Sequence, residues 1–221
     1  MLSRKLVCFA LLASIASASH ADGFFVNTSL GKDNFYSQYK DSATQGWRTS
    51  GHSNTEALRV GYRWTTGAFS YGLETGYVNL GPNYADYFNV FHYDVFTHYE
   101  ERIDGVVFGP TLKYDLPMGF FVSARGGLFR STAHETERLS FEPQLFGASL
   151  QPSSTDYRAD VSGTGSYVGL GVGYDFNQSV GLSLNYDRYR PHVVANWWEH
   201  GGVLPGTPRV DAYTVTAEYR F

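Results

Sequence analysis

The last stretch of the chain constrains everything before it. From Arg209 to Phe221, one side of an extended strand collects Tyr213, Val215, Ala217, Tyr219 and Phe221, and the other collects Ala212, Thr214, Thr216, Glu218 and Arg220. A period of two with one apolar and one polar face is a half-buried strand. Such a strand is not stable alone, so it needs a sheet whose other members alternate in the same way.

Seven further stretches do so: Phe24 to Gly31, Ala57 to Thr65, Ala68 to Leu80, Ile103 to Asp115, Gly119 to Arg130, Gly165 to Phe176 and Ser179 to Tyr189. The second sets Leu58, Val60, Tyr62 and Trp64 against Arg59, Gly61 and Arg63, and the third sets Phe69, Tyr71, Leu73 and Tyr77 against Ser70, Gly72, Glu74 and Gly76. The polar faces together carry Arg59, Glu74, Lys113, Arg125, Asp187 and Glu218. Pro110 in the fourth stretch removes one ladder donor and is the weakest point of the pattern.

The connections alternate too. Thr65 to Gly67, Asp115 to Gly119 and Asp175 to Ser179 are short turns, whereas Lys32 to Glu56, Gly81 to Arg102, Ser131 to Gly163 and Arg190 to Pro208 are long and polar. Eight strands with short turns on one rim and long loops on the other predict an all-β, antiparallel up-and-down barrel crossing an outer membrane, with both termini on the short-turn side. Its apolar face then looks to lipid and its polar face into the lumen. A soluble lipocalin-like barrel or a sandwich also alternates, but would turn the charged face to solvent.

The beginning of the chain agrees. Arg4 and Lys5 precede an apolar run from Leu6 to Ala13, then small residues and a cleavage position after Ala21. This is the pattern of a secretory signal, too short for a membrane span. Residues 1–21 are therefore expected to be a removed signal peptide and 22–221 a single barrel domain. The one cysteine, Cys8, lies within the apolar run, so the segment from Asp22 offers no disulfide, thiolate ligand or cysteine nucleophile. A mean hydropathy of -0.28 excludes a helical membrane protein. The aromatic content of 17% suits interfacial girdles, and the 24 glycines suit a crowded lumen. A net charge of -4 gives no footprint for nucleic acid.

Glu74-Thr75-Gly76-Tyr77 with Leu80-Gly81, the Arg125-Gly126-Gly127 run, and Leu184-Asn185-Tyr186 resemble stretches of the outer membrane protein A transmembrane domain. The same pattern is similar to the outer membrane protein X and opacity-protein barrels. The resemblance implies an eight-stranded barrel in the bacterial outer membrane, an interior packed with charged pairs, and no periplasmic peptidoglycan-binding domain. It also implies that the barrel-assembly machinery reads the ending Tyr219 and Phe221. Ser183 stands where the family has an arginine on strand seven, and Lys113 sits one inward step closer to the periplasm than the family's lysine. The family's gating pair therefore does not carry over as it stands.

Some barrels of this size act on lipid A, which requires a histidine beside a serine, oriented by a carboxylate. His52, His92, His98, His134, His192 and His200 all fall in segments read as loops, without a strand-borne serine two positions on or a fixed carboxylate partner. No catalytic residue, cofactor or metal site is assigned; a site from His92, His98 and Asp94 would need a geometry that spacing does not supply. The second loop is rich in aromatics, including Tyr87, Phe91 and Tyr93, and the fourth carries Trp197 and Trp198. These are candidate contacts for an extracellular ligand. The alternative reading, preferred here, is that strands three and four extend past the bilayer and the second-loop aromatics cover one another.

The expected function is a monomeric structural or surface-interaction barrel, embedded in outer-membrane lipid and lipopolysaccharide, with its lumen plugged by charges. The alternatives are a narrow ion channel and a lipid A-modifying enzyme. Glu74, buried among glycines, needs a cation within ~4 Å. Arg59, Lys113 and Arg125 are the candidates, with Arg125 favoured for its forked guanidinium.

Overall fold

The computed structural model describes residues 22–39, 47–89, 94–142, 153–192 and 208–221. The proposed signal peptide lies outside them. Eight strands run in order: β1 (Gly23–Tyr39), β2 (Trp47–Thr66), β3 (Phe69–Asn89), β4 (Asp94–Asp115), β5 (Phe120–Glu142), β6 (Ser153–Asp175), β7 (Val180–Arg190) and β8 (Arg209–Arg220). Each pairs antiparallel with its neighbour in sequence, and β1 with β8 closes the barrel. The closing register runs from Phe25 opposite Arg220 to Tyr36 opposite Arg209, and Phe221 N–H donates to Phe24 C=O at 3.0 Å.

Three short turns sit on the rim that holds residues 22 and 221. Gly67 turns β2 into β3 with φ +63°, a conformation glycine adopts without penalty. Between β6 and β7, Asn177 Oδ1 accepts from Ser179 N–H and Val180 N–H, both at 2.8 Å, in place of the ladder. Opposite Pro110 the β4–β5 ladder is interrupted between the Phe108–Leu128 and Thr111–Arg125 pairs. Proline has no N–H to give there, but its side chain faces outward and the strand continues.

The strands are longer than the alternation predicts. β3 to β6 each run to 21 residues or more, and β2 to 20. Much of what reads as three long loops, Lys32 to Glu56, Gly81 to Arg102 and Ser131 to Gly163, is paired strand. About 9–11 residues cross a bilayer, so these strands project past it. There the outward face turns polar, with Lys32, Asn34, His52, Asn54 and Glu56, so no apolar alternation marks the strand. The β3–β4 extension pairs Tyr84 with Glu100 and Tyr87 with Thr97, past a bulge between Leu80 and Pro82. β7 and β8, with 11 and 12 residues, are only membrane-length.

Candidate functional site in the barrel lumen

Side chains divide by parity along every strand. Leu170 (66% exposed), Leu184 (62%) and Val168 (59%) face outward, while Arg59, Glu74 and Asp187 are 1–2% exposed. A belt of exposed large apolar side chains around a charged interior is the reverse of a soluble barrel and places lipid outside. The chain is an outer-membrane β-barrel. Aromatics ring it at the short-turn rim, where Phe24–Tyr62, Tyr62–Trp64 and Phe120–Tyr174 meet edge to face at 5.0–5.2 Å. Tyr219 and Phe221 belong to this ring, 4.9 Å apart.

All six charged residues expected inside are inside. Glycines make room for them to meet. Arg59 stands opposite Gly76 and Glu74 opposite Gly61, so each long side chain faces a bare backbone and the two approach diagonally. Arg59 Nε lies 3.8 Å from Glu74 Oε1. Arg59 also donates to Tyr189 Oη at 2.6 Å and reaches Asp187 Oδ2 at 4.0 Å. Arg125 and Asp187 flank Gly169 from either side and pair across it through two hydrogen bonds, 2.7 and 2.5 Å. Arg125 is thus the partner of Asp187, and Glu74's cation is Arg59. Among the candidate pairings, the favoured one is corrected: the fork closes on a carboxylate that matches it bidentately.

Closer to the periplasmic rim a second ionic chain crosses the lumen. Arg63 Nη1 donates to Glu218 Oε1 at 2.7 Å, Glu218 lies 3.7 Å from Arg220, and Arg220 pairs with Asp175 at 2.8 Å. Asp175 accepts from Lys113 Nζ at 2.5 Å, and Asp115 lies 3.1 Å from the same ammonium. Arg63 and Lys113 stack over the inward rings of Phe25 and Phe121, at 3.9 and 4.4 Å. Ser183, in place of the family's arginine, accepts from Asn185 Nδ2 at 2.9 Å, and Asn185 also reaches Thr216. Neutral groups therefore fill the wall across from Glu74. Between the two ionic layers is a small space, lined by Glu74, Arg125, Lys113, Arg63 and Glu218 among others, where water fits and a larger solute does not.

Two features went unread in the sequence. Tyr167 and Tyr189 point inward; Tyr167 Oη donates to Glu74 Oε1 at 3.1 Å. Above them comes an apolar layer of Val78, Leu80, Ile103, Val107, Phe129 and Val210 with smaller neighbours, and Asp33, Thr55, Asn83 and Glu101 are also buried on the inward face of that half. The ionic networks described above lie on the short-turn side of this layer, while in the other half Asp33 accepts from Ser53 and Thr55. Parity held the signal: each apolar residue lies an even number of positions from a charged inward one on its own strand.

The histidines need correction. His52, His98 and His134 lie on strands β2, β4 and β5, not in loops. His134 does have carboxylate partners: Nε2 is 3.0 Å from Asp104 and Nδ1 is 2.7 Å from Asp160. With both ring nitrogens facing carboxylates, neither addresses a hydroxyl as a general base must. His52 Nδ1 meets Asn34 Oδ1 at 2.6 Å on the outer face. Phe91, Tyr93, His92, Trp197, Trp198 and His200, and the side chains of Tyr87, Asp94 and His98, lie outside the described residues.

The chain matches no protein-family model and no curated protein. Among solved structures it is similar to Neisserial surface protein A, at 13% identity and TM-score 0.38, over 90% of this chain and 97% of that one. The attachment invasion locus protein Ail of Yersinia pestis, solved with a heparin analogue, gives 12%, 0.36, 90% and 99%. OprG of Pseudomonas aeruginosa gives 14%, 0.38, 90% and 96%.

Proposed function

We propose that this protein is a non-enzymatic outer-membrane barrel, closed to bulk passage, that supports the envelope and presents its extended strands for surface contact. One observation carries the reading: the lumen holds two stacked ionic networks beneath an apolar plug, and the space between them admits only water. Eight strands enclose an interior just wide enough for side chains, and here side chains occupy it. The strands β2 to β6, far longer than a bilayer needs, supply a platform beyond the membrane for a protein or glycan partner.

Reconstitution into planar bilayers tests closure. The wild-type barrel is expected to show no steady conductance, whereas steady open-channel current would overturn this reading. Whole-cell binding assays on a deletion strain and its complemented parent test surface contact, and identical binding by the two removes that part.

A narrow ion channel is the second reading, and the water-sized space lined by five charged side chains favours it. Conduction along that route requires the plug of Val78, Leu80, Val107 and Phe129 to part. Phe129→Gly is then expected to raise current well above wild type.

A further inference from the structure

On the outer face, the side formed by β7, β8 and β1 differs from the rest. The registers of β7, β8 and β1 set Tyr186, Tyr213 and Lys32 at one level, and Arg188, Asp211 and Asn34 at the next. Arg209, opposite Tyr36, and Arg190 come one step further from the membrane centre. Below this grid the same strands present Leu184, Val215 and Leu30 to lipid. The patch therefore begins where the apolar belt ends, on the rim away from the short turns, at the depth of the outer leaflet's headgroups.

Its charge is one-sided. Arg188, Arg190, Arg209 and Lys32 stand against a single carboxylate, Asp211, and the next outward acid in the register is Glu56, opposite Leu30 on β2. Across the barrel, the outward cations Arg102 and Arg130 share their surface with Asp104 and Asp160.

The patch is also built. Asp211, its side chain 7% exposed, accepts from Arg188 Nε at 2.8 Å and lies 3.2 Å from Arg209 Nη2. One buried carboxylate thus clamps two guanidinium groups side by side while leaving them 33% and 42% exposed. Tyr186 Oη accepts from Arg188 at 2.6 Å, and Arg209 lies over the Tyr36 ring at 4.5 Å. Arg209 Nε–H has no acceptor among the described residues. A clamped pair of guanidinium groups has lost most of its rotamer freedom before any ligand arrives, and planar forks match phosphate oxygens bidentately.

We infer that Arg188 and Arg209, flanked by Lys32 and Arg190, hold the phosphate of an anionic lipid headgroup of the outer leaflet. The lipid's acyl chains lie along Leu184, Val215 and Leu30, and its phosphate meets the guanidinium pair. The inference goes beyond lumen closure and rests on membrane placement alone.

The test uses the full mature barrel, refolded in an uncharged maltoside detergent and checked for heat-modifiable gel mobility. Phosphatidic acid is added to the micelles, and retained lipid is counted by native mass spectrometry. The wild type is expected to retain it, R188Q/R209Q to bind at least about tenfold more weakly, the scale of losing charge-assisted hydrogen bonds, and R102Q/R130Q to match the wild type. Equal binding by all three, or equal loss in both variants, overturns the site. Inorganic phosphate is expected not to displace the lipid; displacement at equal concentration would identify a free-anion site and overturn the lipid assignment. If R188Q/R209Q does not fold, K32Q/R190Q keeps Asp211's ion pairs and decides: weaker retention supports the site and unchanged retention refutes it. A folded barrel that retains no phosphatidic acid refutes the site and leaves lumen closure to its own conductance test.

Discussion

Arg59 and Glu74 lie 3.8 Å apart with both side chains 1% exposed, yet Arg59 Nε and Glu74 Oε2 make no hydrogen bond. The pair is held by charge balance: two cations, Arg59 and Arg125, share this layer of the lumen with two carboxylates, Glu74 and Asp187. Desolvating these groups is costly, so the arrangement is stable as a set and vulnerable to loss of any one member.

Glu74→Ala is accordingly expected to destabilise the barrel by about 3–5 kcal/mol, because it strands a buried positive charge. Glu74→Ala with Arg59→Met restores balance and is expected to cost much less than the sum of the single changes. Urea unfolding in vesicles, followed by gel mobility, measures both. Additive costs would show that the two charges do not interact.

Gly169 separates Arg125 from Asp187, and a Cβ there would press on Arg125 Cγ at 3.1 Å and on the Asp187 carboxylate. Gly169→Ala is expected to cost about 1–3 kcal/mol through forced displacement of the pair. An unchanged unfolding midpoint would show that the pair shifts freely.

Leu170 points into lipid from the membrane-crossing part of β6. Leu170→Arg is expected to cost about 2–4 kcal/mol in a bilayer, whereas Ser162→Arg, exposed on the same face of β6 beyond the membrane, should be nearly neutral. Comparable refolding yields and unfolding midpoints for the two variants in vesicles would contradict the outward assignment.

Beyond the membrane, Arg138 Nε donates to Asp156 Oδ1 at 3.0 Å and holds that carboxyl below its ordinary range, chiefly through this hydrogen bond. A depressed folded-state value means that the contact supports the β5–β6 extension above the unfolded-state pKa and is lost as pH falls through the folded one. NMR titration is expected to find Asp156 low in the wild type and back at the usual carboxylate value in Arg138→Gln. Identical titrations would dissolve the pair.

The sequence by itself determined the strand count, their order, the inward or outward parity of every side chain named on them, and the inversion that puts lipid outside. Each follows from a period of two, which is local and survives without knowledge of neighbours. Tertiary structure decided the pairing inside. Arg59, Lys113 and Arg125 all face the lumen, and which one meets Glu74 depends on register, on which glycines sit between, and on the competing carboxylates Asp187 and Asp175. It also decided the strand lengths, because past the membrane the outward face turns polar, as at Lys32, Asn34, His52 and Asn54, and leaves no hydrophobic alternation to read. The apolar plug was legible by parity, yet Val78, Leu80 and Phe129 next to outward Tyr77 and Leu128 blur the alternation into a continuous apolar run. The Arg188–Asp211–Arg209 clamp joins two strands whose sequences are separated by a long connection, so only closure of β7 against β8 brings its three charges together.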